Sequence, residues 1–469
     1  MPRWGVATLV AVLVLAGGTL FAARGSFGGH AAQRQLLVQL PGSAGCLRTD
    51  AAQHCAKTRL LDSPTMLLAV GRSLYVGSFT GGGPPLSLLH QRADGSVEDV
   101  ACWSYSGGCR SGPALSPVGM AVSPDEANLY VASQVEDAHE GNTMERISVF
   151  RRNRSTGMVV PLHRRSACIA MGADNYRDVC AHGYGFGAPS DVTVSPDGRN
   201  VYLAGDGGVA TFSRASADGS LRQFGCVGVS LTADRCHPSY LPVSKDYAKA
   251  LAAGHDGTSV YVLAEHWHGD RDTTVLEVFR RGRGGALSRL AGDGRCFSAA
   301  TVPRARCRVL PALASGGTAA IAISPDGRNL YVSTLTSVLS FTPGPAGRLR
   351  FDRAVPLGRS VCRCTPFAAT SIAARQDRVY VESGADGRIL VFIRAPRSGA
   401  LERPLTGACI FASKHPPRGC STARATTSLT ALTASPDGRY LYGVGYFEGA
   451  MTPTGYAQEA ELAVFAAVR

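Results

Sequence analysis

The feature that most constrains this chain is a phrase it repeats. The phrase reads Val122-Ser-Pro-Asp-Glu-Ala-Asn-Leu-Tyr130, Val194-Ser-Pro-Asp-Gly-Arg-Asn-Val-Tyr202, Ile323-Ser-Pro-Asp-Gly-Arg-Asn-Leu-Tyr331 and Ala434-Ser-Pro-Asp-Gly-Arg-Tyr-Leu-Tyr442. Degenerate copies end at Tyr75, Tyr261 and Tyr380, so seven copies are spread over 469 residues. Length alone suggests about three domains. A recurring unit overrides that expectation and predicts one body made of equivalent parts.

Each copy encodes a hairpin. An apolar strand runs into a Pro-Asp-Gly turn, where Pro presets φ and Gly accepts a positive φ, and an alternating strand such as Asn329 to Ser333 follows. These are strands A and B. Strand C follows, as in Ile147-Ser-Val-Phe150, Val275-Leu-Glu-Val-Phe279 and Leu462-Ala-Val-Phe465, and a Gly-x-Leu phrase leads into strand D. Seven four-stranded units predict an all-β fold, a seven-bladed β-propeller. The last unit stops at strand C, whereas an orphan apolar stretch, Leu36 to Leu40, precedes the first. We expect that stretch to complete the last blade against Leu462 to Phe465, which removes an open sheet edge.

The fourteen cysteines form neighbouring couples, one per unit: Cys46/Cys55, Cys102/Cys109, Cys168/Cys180, Cys226/Cys236, Cys296/Cys307, Cys362/Cys364 and Cys409/Cys420. Their even number and regular recurrence predict local disulfides in the D to A connections, and argue against a zinc cluster. Cys362-Arg363-Cys364 stands apart, because so small a ring is strained. Disulfides imply an oxidising compartment. In agreement, Arg3 precedes the uncharged run Trp4 to Ala23, which reads as an export signal or as a retained N-terminal membrane anchor. Gly29-His30-Ala31 is a candidate cleavage site. We therefore divide the chain into 1–32, signal or anchor, and 33–469, propeller, and expect a secreted or cell-envelope, extracytoplasmic monomer. The net charge of +13 invites a nucleic-acid reading, but the arginines are scattered and only Lys57, Lys245, Lys249 and Lys414 are lysines. With no dense basic stripe, nucleic acid is not an expected partner.

Function is expected where long connections rise from a rigid scaffold. Three B to C connections are long, Gln134 to Arg146, Glu265 to Thr274 and Tyr446 to Glu461. The second is the most polar, Glu265-His-Trp-His-Gly-Asp-Arg-Asp272. His266 and His268 at i, i+2 point the same way in an extended strand, so Glu265, His266 and His268 are candidate catalytic groups and His266, His268 and Asp270 candidate metal ligands. A solvated, charged hairpin tip is the plainer reading, and no cofactor is required beyond a divalent metal at that tip. Candidate ligand-binding residues are Glu136, His139 and Glu140 in the first connection, Trp267 and Asp270 in the second, and Tyr446 and Glu448 in the third. Trp103, Tyr105, Tyr176, Tyr184 and Phe186 near the Cys couples read as caps on the core. No nucleophile elbow, phosphate loop or zincin helix occurs.

At its Ser-Pro-Asp-Gly-Arg-Asn-Leu-Tyr-Val units the chain resembles the YVTN-type and lactonase-like seven-bladed propellers of bacteria, over everything after about residue 35. The Cys couples resemble an exported branch of such repeat proteins. The resemblance implies a lactonase-like hydrolase with Arg and His before strand A and a Glu after strand B. Here the first positions read Ser116-Pro-Val-Gly119 and Ala188-Pro-Ser-Asp191, and only Glu265, after Tyr261-Val-Leu-Ala264, matches. The leading expectation is accordingly a binding or interaction module for a protein, glycan or small ligand at the channel mouth, with a lactonase-like hydrolase as the alternative.

Overall fold

Every intact copy of the repeated phrase folds into the turn its residues dictate. In the computed structural model, Ser123 Oγ donates to the Asp125 carboxylate, which also accepts the Ala127 N–H, and the Asn128 N–H closes onto Ser123 Oγ. The same three bonds recur at Ser195, Asp197 and Asn200, at Ser324, Asp326 and Asn329, and at Ser435, Asp437 and Tyr440. The structure describes residues 35–468 apart from 51, 80–82, 106, 137–142, 163–164, 166–167, 173–179, 229–235, 239–245, 269–270, 302–305, 315–319, 358–370, 384–386, 405–406, 413–415, 417–418, 428 and 453–454. The N-terminal export or anchor segment lies outside these residues, as do Cys362 and Cys364.

The chain is all-β and forms a β-propeller of antiparallel meanders. Seven first strands, Pro64–Val70, Pro117–Val122, Gly187–Val194, Asp246–Ala253, Ala320–Ile323, Ser371–Ala374 and Leu429–Ala434, each lie beside the next, and Leu429–Ala434 lies beside Pro64–Val70. Thr430 Oγ1 donates to Pro64 O across that last contact at 2.6 Å. The apolar core sits between facing sheets. One cluster joins Tyr75 and Leu86 to Leu129 and Phe150 of the next repeat, and another joins Leu74 and Val76 to Tyr442 and Leu462 of the last.

The hydrogen-bonded sheets number six among the described residues, a correction to the seven separate ones expected. The cause is a single pairing, Asp206 with Tyr247, which fuses the third and fourth meanders into one sheet of eleven strands. The N-terminal stretch also differs in detail from expectation. Leu37–Gln39 pairs with Phe465 to Ala467, further along than Leu462 to Phe465, and Cys46–Arg48 then takes up Glu461 to Ala463. Buried Arg48 donates to Glu461 at 3.0 Å, tying the same segment down a second time.

Six of the expected disulfides are present, Cys46–Cys55, Cys102–Cys109, Cys168–Cys180, Cys226–Cys236, Cys296–Cys307 and Cys409–Cys420. Their placement corrects the sequence reading. The first cysteine of each couple lies inside the outer strand, not in the connection, as in Val97–Ser104, Leu221–Gly228 and Cys296–Ser298. The second begins, or stands one residue before, a strand of two or three residues that pairs in parallel with it, such as Arg110–Ser111 or Cys420–Thr422. Parallel pairs this short are weak, so the disulfide is what holds a cover on the sheet edge.

Neighbouring repeats are joined by one recurring polar contact. Tyr130 donates to Gly219 O and accepts from Arg214 Nε, and Arg214 also reaches Asp125 and Asn128. Arg281 does the same for Tyr202, Asp197 and Asn200, and Arg394 for Tyr331, Asp326 and Asn329. The Gly-x-Leu glycine must be glycine at these joints: at Gly399, with φ +69°, a Cβ would lie 2.0 Å from the Asn329 side chain. The Asp of the turn thus has two duties, closing its own hairpin and binding the guanidinium of the following repeat.

At the end of the chain the joint is rebuilt. Ala467 takes the place of the arginine, and Arg378, standing where other repeats have Asn, donates instead to the carbonyls of Leu36 and Val468. From the last repeat to the first, Tyr442 donates to Gly95 O at 3.3 Å.

Two outcomes follow. Arg281→Ala strands a buried phenol and an amide, and should lower stability by about 3 kcal/mol in urea unfolding. Because Arg281 and Ser195 hold the Asp197 carboxyl down at about 2, its stabilisation is complete above the usual carboxylate range and is lost as pH falls through about 2. Arg281→Ala should therefore also flatten the acid limb of the stability profile. Replacing Cys226 and Cys236 together by Ser should cost about 3 kcal/mol, read from the same unfolding curves.

Candidate functional site

The pairing that fuses the third and fourth meanders also assembles a polar row. Gly187, Asp206, Tyr247, Glu265 and Thr274 are successive cross-strand partners, drawn from the first two strands of the third repeat and the first three of the fourth. Partners directly opposite in a sheet share a face. Asp206, Tyr247 and Glu265 therefore stand side by side at the end of the strands where the B to C hairpins rise. Lys249, two positions after Tyr247, reaches Glu265 Oε1 at 2.7 Å, with 21% and 17% of the two side chains exposed.

Glu145 approaches from the second repeat, and Asp191 lies further along the seam, against Leu251. Burial pushes the Glu145 carboxyl up, although it accepts the Ala188 N–H, and the charge of Asp206 adds to the rise. Burial likewise raises the Tyr247 phenol, with Asp206 and Glu265 contributing and a hydrogen bond with Ser190 opposing. The Asp191 carboxylate accepts the Leu251 N–H at 2.7 Å and the Val192 N–H at 2.8 Å, joining the first strands of the third and fourth repeats. Enclosure outweighs those two donors and carries its pKa up to about 7. This end of the sheet thus combines one ammonium, a phenol and the carboxylates of Asp206, Glu265 and Glu145, the last of them raised. Such a set donates to and accepts from hydroxyl groups on a neutral or polyhydroxylated ligand.

The expected site residues are distributed differently. The described parts of the three long connections are paired strands and not loops, a correction with a simple cause: alternating residues extend the B and C ladders outward. Asn128–Glu136 pairs with Thr143–Arg152 as far as Glu136 opposite Thr143, Ser259–His268 with Arg271–Arg281 as far as His268 opposite Arg271, and Tyr440–Thr452 with Gly455–Ala467. Glu265 and His266 are adjacent in a strand and so face opposite sides of the sheet, which separates two members of the expected catalytic trio. His266 is buried, 2% exposed. Trp267 and His268 continue the same strand. Their side chains lie outside the described residues, as do those of Glu136 and Glu448. His139, Glu140 and Asp270 lie outside them altogether. Tyr446 sits opposite Ala460 and is partly buried. Among the described residues no group of three or more His, Cys, Asp or Glu could hold a metal ion.

Trp103 and Phe186 are core, at 2% and 0% exposed, whereas Tyr105 is 80% exposed. Sequence reasoning missed Tyr247, Lys249, Asp191, Asp206 and Glu145. One signal was available: Lys249 is one of four lysines and stands among the apolar residues Ala248 and Ala250 to Ala253.

No family profile matches this chain, and no curated protein matches its sequence. Solved structures do resemble it in fold. A periplasmic gluconolactonase of Pseudomonas aeruginosa superposes with a TM-score of 0.53 at 19% identity, over 84% of this chain and 99% of its own. A putative 6-phosphogluconolactonase of Bacteroides fragilis gives 0.51 at 15% identity, over 85% and 94%. These likenesses show a lactonase-like β-propeller fold.

Asp191 supplies the test of this geometry. Its raised pKa means that the folded state keeps a proton that the unfolded chain releases near 3.8, so its contribution turns unfavourable as pH rises from about 4 to about 7. Asp191→Asn should flatten stability across that window, measured by thermal unfolding at stepped pH. An unchanged slope would count against the enclosed carboxyl.

Proposed function

We propose that this protein is an extracytoplasmic seven-bladed propeller that binds a hydroxyl-rich ligand, most simply a glycan, at the hairpin-bearing mouth of its ring. Each of the seven first strands touches the next, and the pairing of Leu37–Gln39 with the last strand supplies closure; both support the ring reading. Six disulfides support an oxidising compartment. The observation that carries the binding role is the row Asp206, Tyr247 and Glu265, with Lys249 held at 2.7 Å from Glu265. Its groups suit recognition, because Glu265 is engaged by an ammonium and is not left free as a base.

A second reading, a lactonase-type hydrolase, is favoured by Glu265 itself, which stands in the outer part of strand B in a fold similar to a periplasmic gluconolactonase. The two readings separate experimentally. A glycan array followed by calorimetry should find a ligand whose affinity falls about tenfold in Tyr247→Phe or Lys249→Gln, the loss expected for one hydrogen bond to a charged or buried partner. Binding indifferent to both changes would refute the binding site. Turnover of gluconolactone that disappears in Glu265→Gln would establish the hydrolase instead.

A further inference from the structure

The joint between repeats is incomplete where Ala467 stands, and the space is open. The Ala467 N–H donates to Arg439 O just as that of Arg214 donates to Arg199 O, so Ala467 holds the position that carries the bridging arginine elsewhere. The sixth repeat also has a shorter turn. Its Arg375 N–H closes directly on Arg378 O, three positions on, where Ser324 closes on Asn329, five positions on. Losing a long side chain and two turn residues leaves a cavity of about 850 Å³ on the A to B turn face, opposite the hairpins.

Its lining includes Arg375, Arg378 and Arg439 against Asp377 and Asp437. The donors there are unequally committed. Arg378 serves the Leu36 and Val468 carbonyls, and Asp437 serves Ser435 and the Arg439 N–H. Arg375 gives one Nη to Ala434 O at 2.7 Å, but its buried Nε has no hydrogen-bond partner. Burial lowers the Arg375 pKa, outweighing the opposing pull of the Tyr380 phenol and the Asp437 carboxylate. Arg439 lies over the Tyr440 ring at 5.7 Å, and no ion pair holds it among the described residues.

We propose that this cavity binds a small anion, a carboxylate or phosphate group, between Arg375 and Arg439. A planar guanidinium presents paired N–H donors that match either group, and an enclosed one gains most from a counter-charge. The site is separate from the hairpin mouth and does not rest on the function proposed there.

The test is calorimetric titration of the full-length protein with inorganic phosphate and with citrate, beside flotation on phosphatidylglycerol and phosphatidylcholine vesicles. We expect saturable binding in at least one anionic arm, weakened about tenfold by Arg439→Gln and by Arg375→Gln. Arg439→Gln removes no side-chain hydrogen bond described within the fold, and unchanged thermal unfolding would establish that the variant remains folded. Binding of phosphate or citrate identifies a soluble ligand, and binding to phosphatidylglycerol alone identifies a lipid headgroup. No binding in any anionic arm, or binding that survives both substitutions, overturns the proposal.

Discussion

The contact between a buried tyrosine and the arginine of the following repeat organises the rest of this molecule. Apolar packing between sheets is large but non-directional, and similar aliphatic faces can slide on one another. The Tyr130, Arg214, Asp125 and Asn128 contact is directional, and each of its groups is answered. A fully satisfied network inside an apolar interface fixes the offset between sheets, because any slip would leave buried donors unpaired. The Asp and Asn of the phrase therefore serve the interface between units as well as the turn within one.

Exceptions to that contact mark where the repeats differ from one another. The arginine position is Gln91 in the first repeat, Pro343 in the fifth and Ala467 in the seventh. At the fifth, Ser259 turns to its own Asp256 at 2.9 Å, and Gly347 packs onto it. At the seventh, Arg378 moves the guanidinium to the preceding repeat and applies it to the two chain segments that meet there. The polar row at Tyr247 sits on a complete joint, Tyr202 with Arg281, so its residues are held on a rigid seam. The basic cavity sits on an incomplete one. Both candidate sites thus arise from how units meet, and neither is encoded within a single unit.

Much of this was legible beforehand for local reasons. Pro, Asp and Gly define a hairpin turn wherever they fall, alternation defines a strand, and cysteines about ten residues apart have few other partners. The first strands, the turns and six disulfides were readable for that reason. The long connections were misread because length and polarity distinguish a loop from a short hairpin but not from an extended one, and the ladder from Glu265 to His268 keeps its alternation. The same alternation divides Glu265 from His266 within the expected trio, because it sends strand neighbours to opposite faces.

By itself the sequence determined a chain of equivalent β units, their turns and their local cross-links, because each depends on residues within about a dozen positions of one another. Only the tertiary structure decided that Asp206 would meet Tyr247, that Glu145 would approach them, that Asp191 would reach Leu251, and that Ala467 and a short turn would open a cavity beside Arg375. Those meetings join residues from different repeats. Their geometry is set by the angle and offset at which whole sheets pack, a property that no single segment of the chain carries.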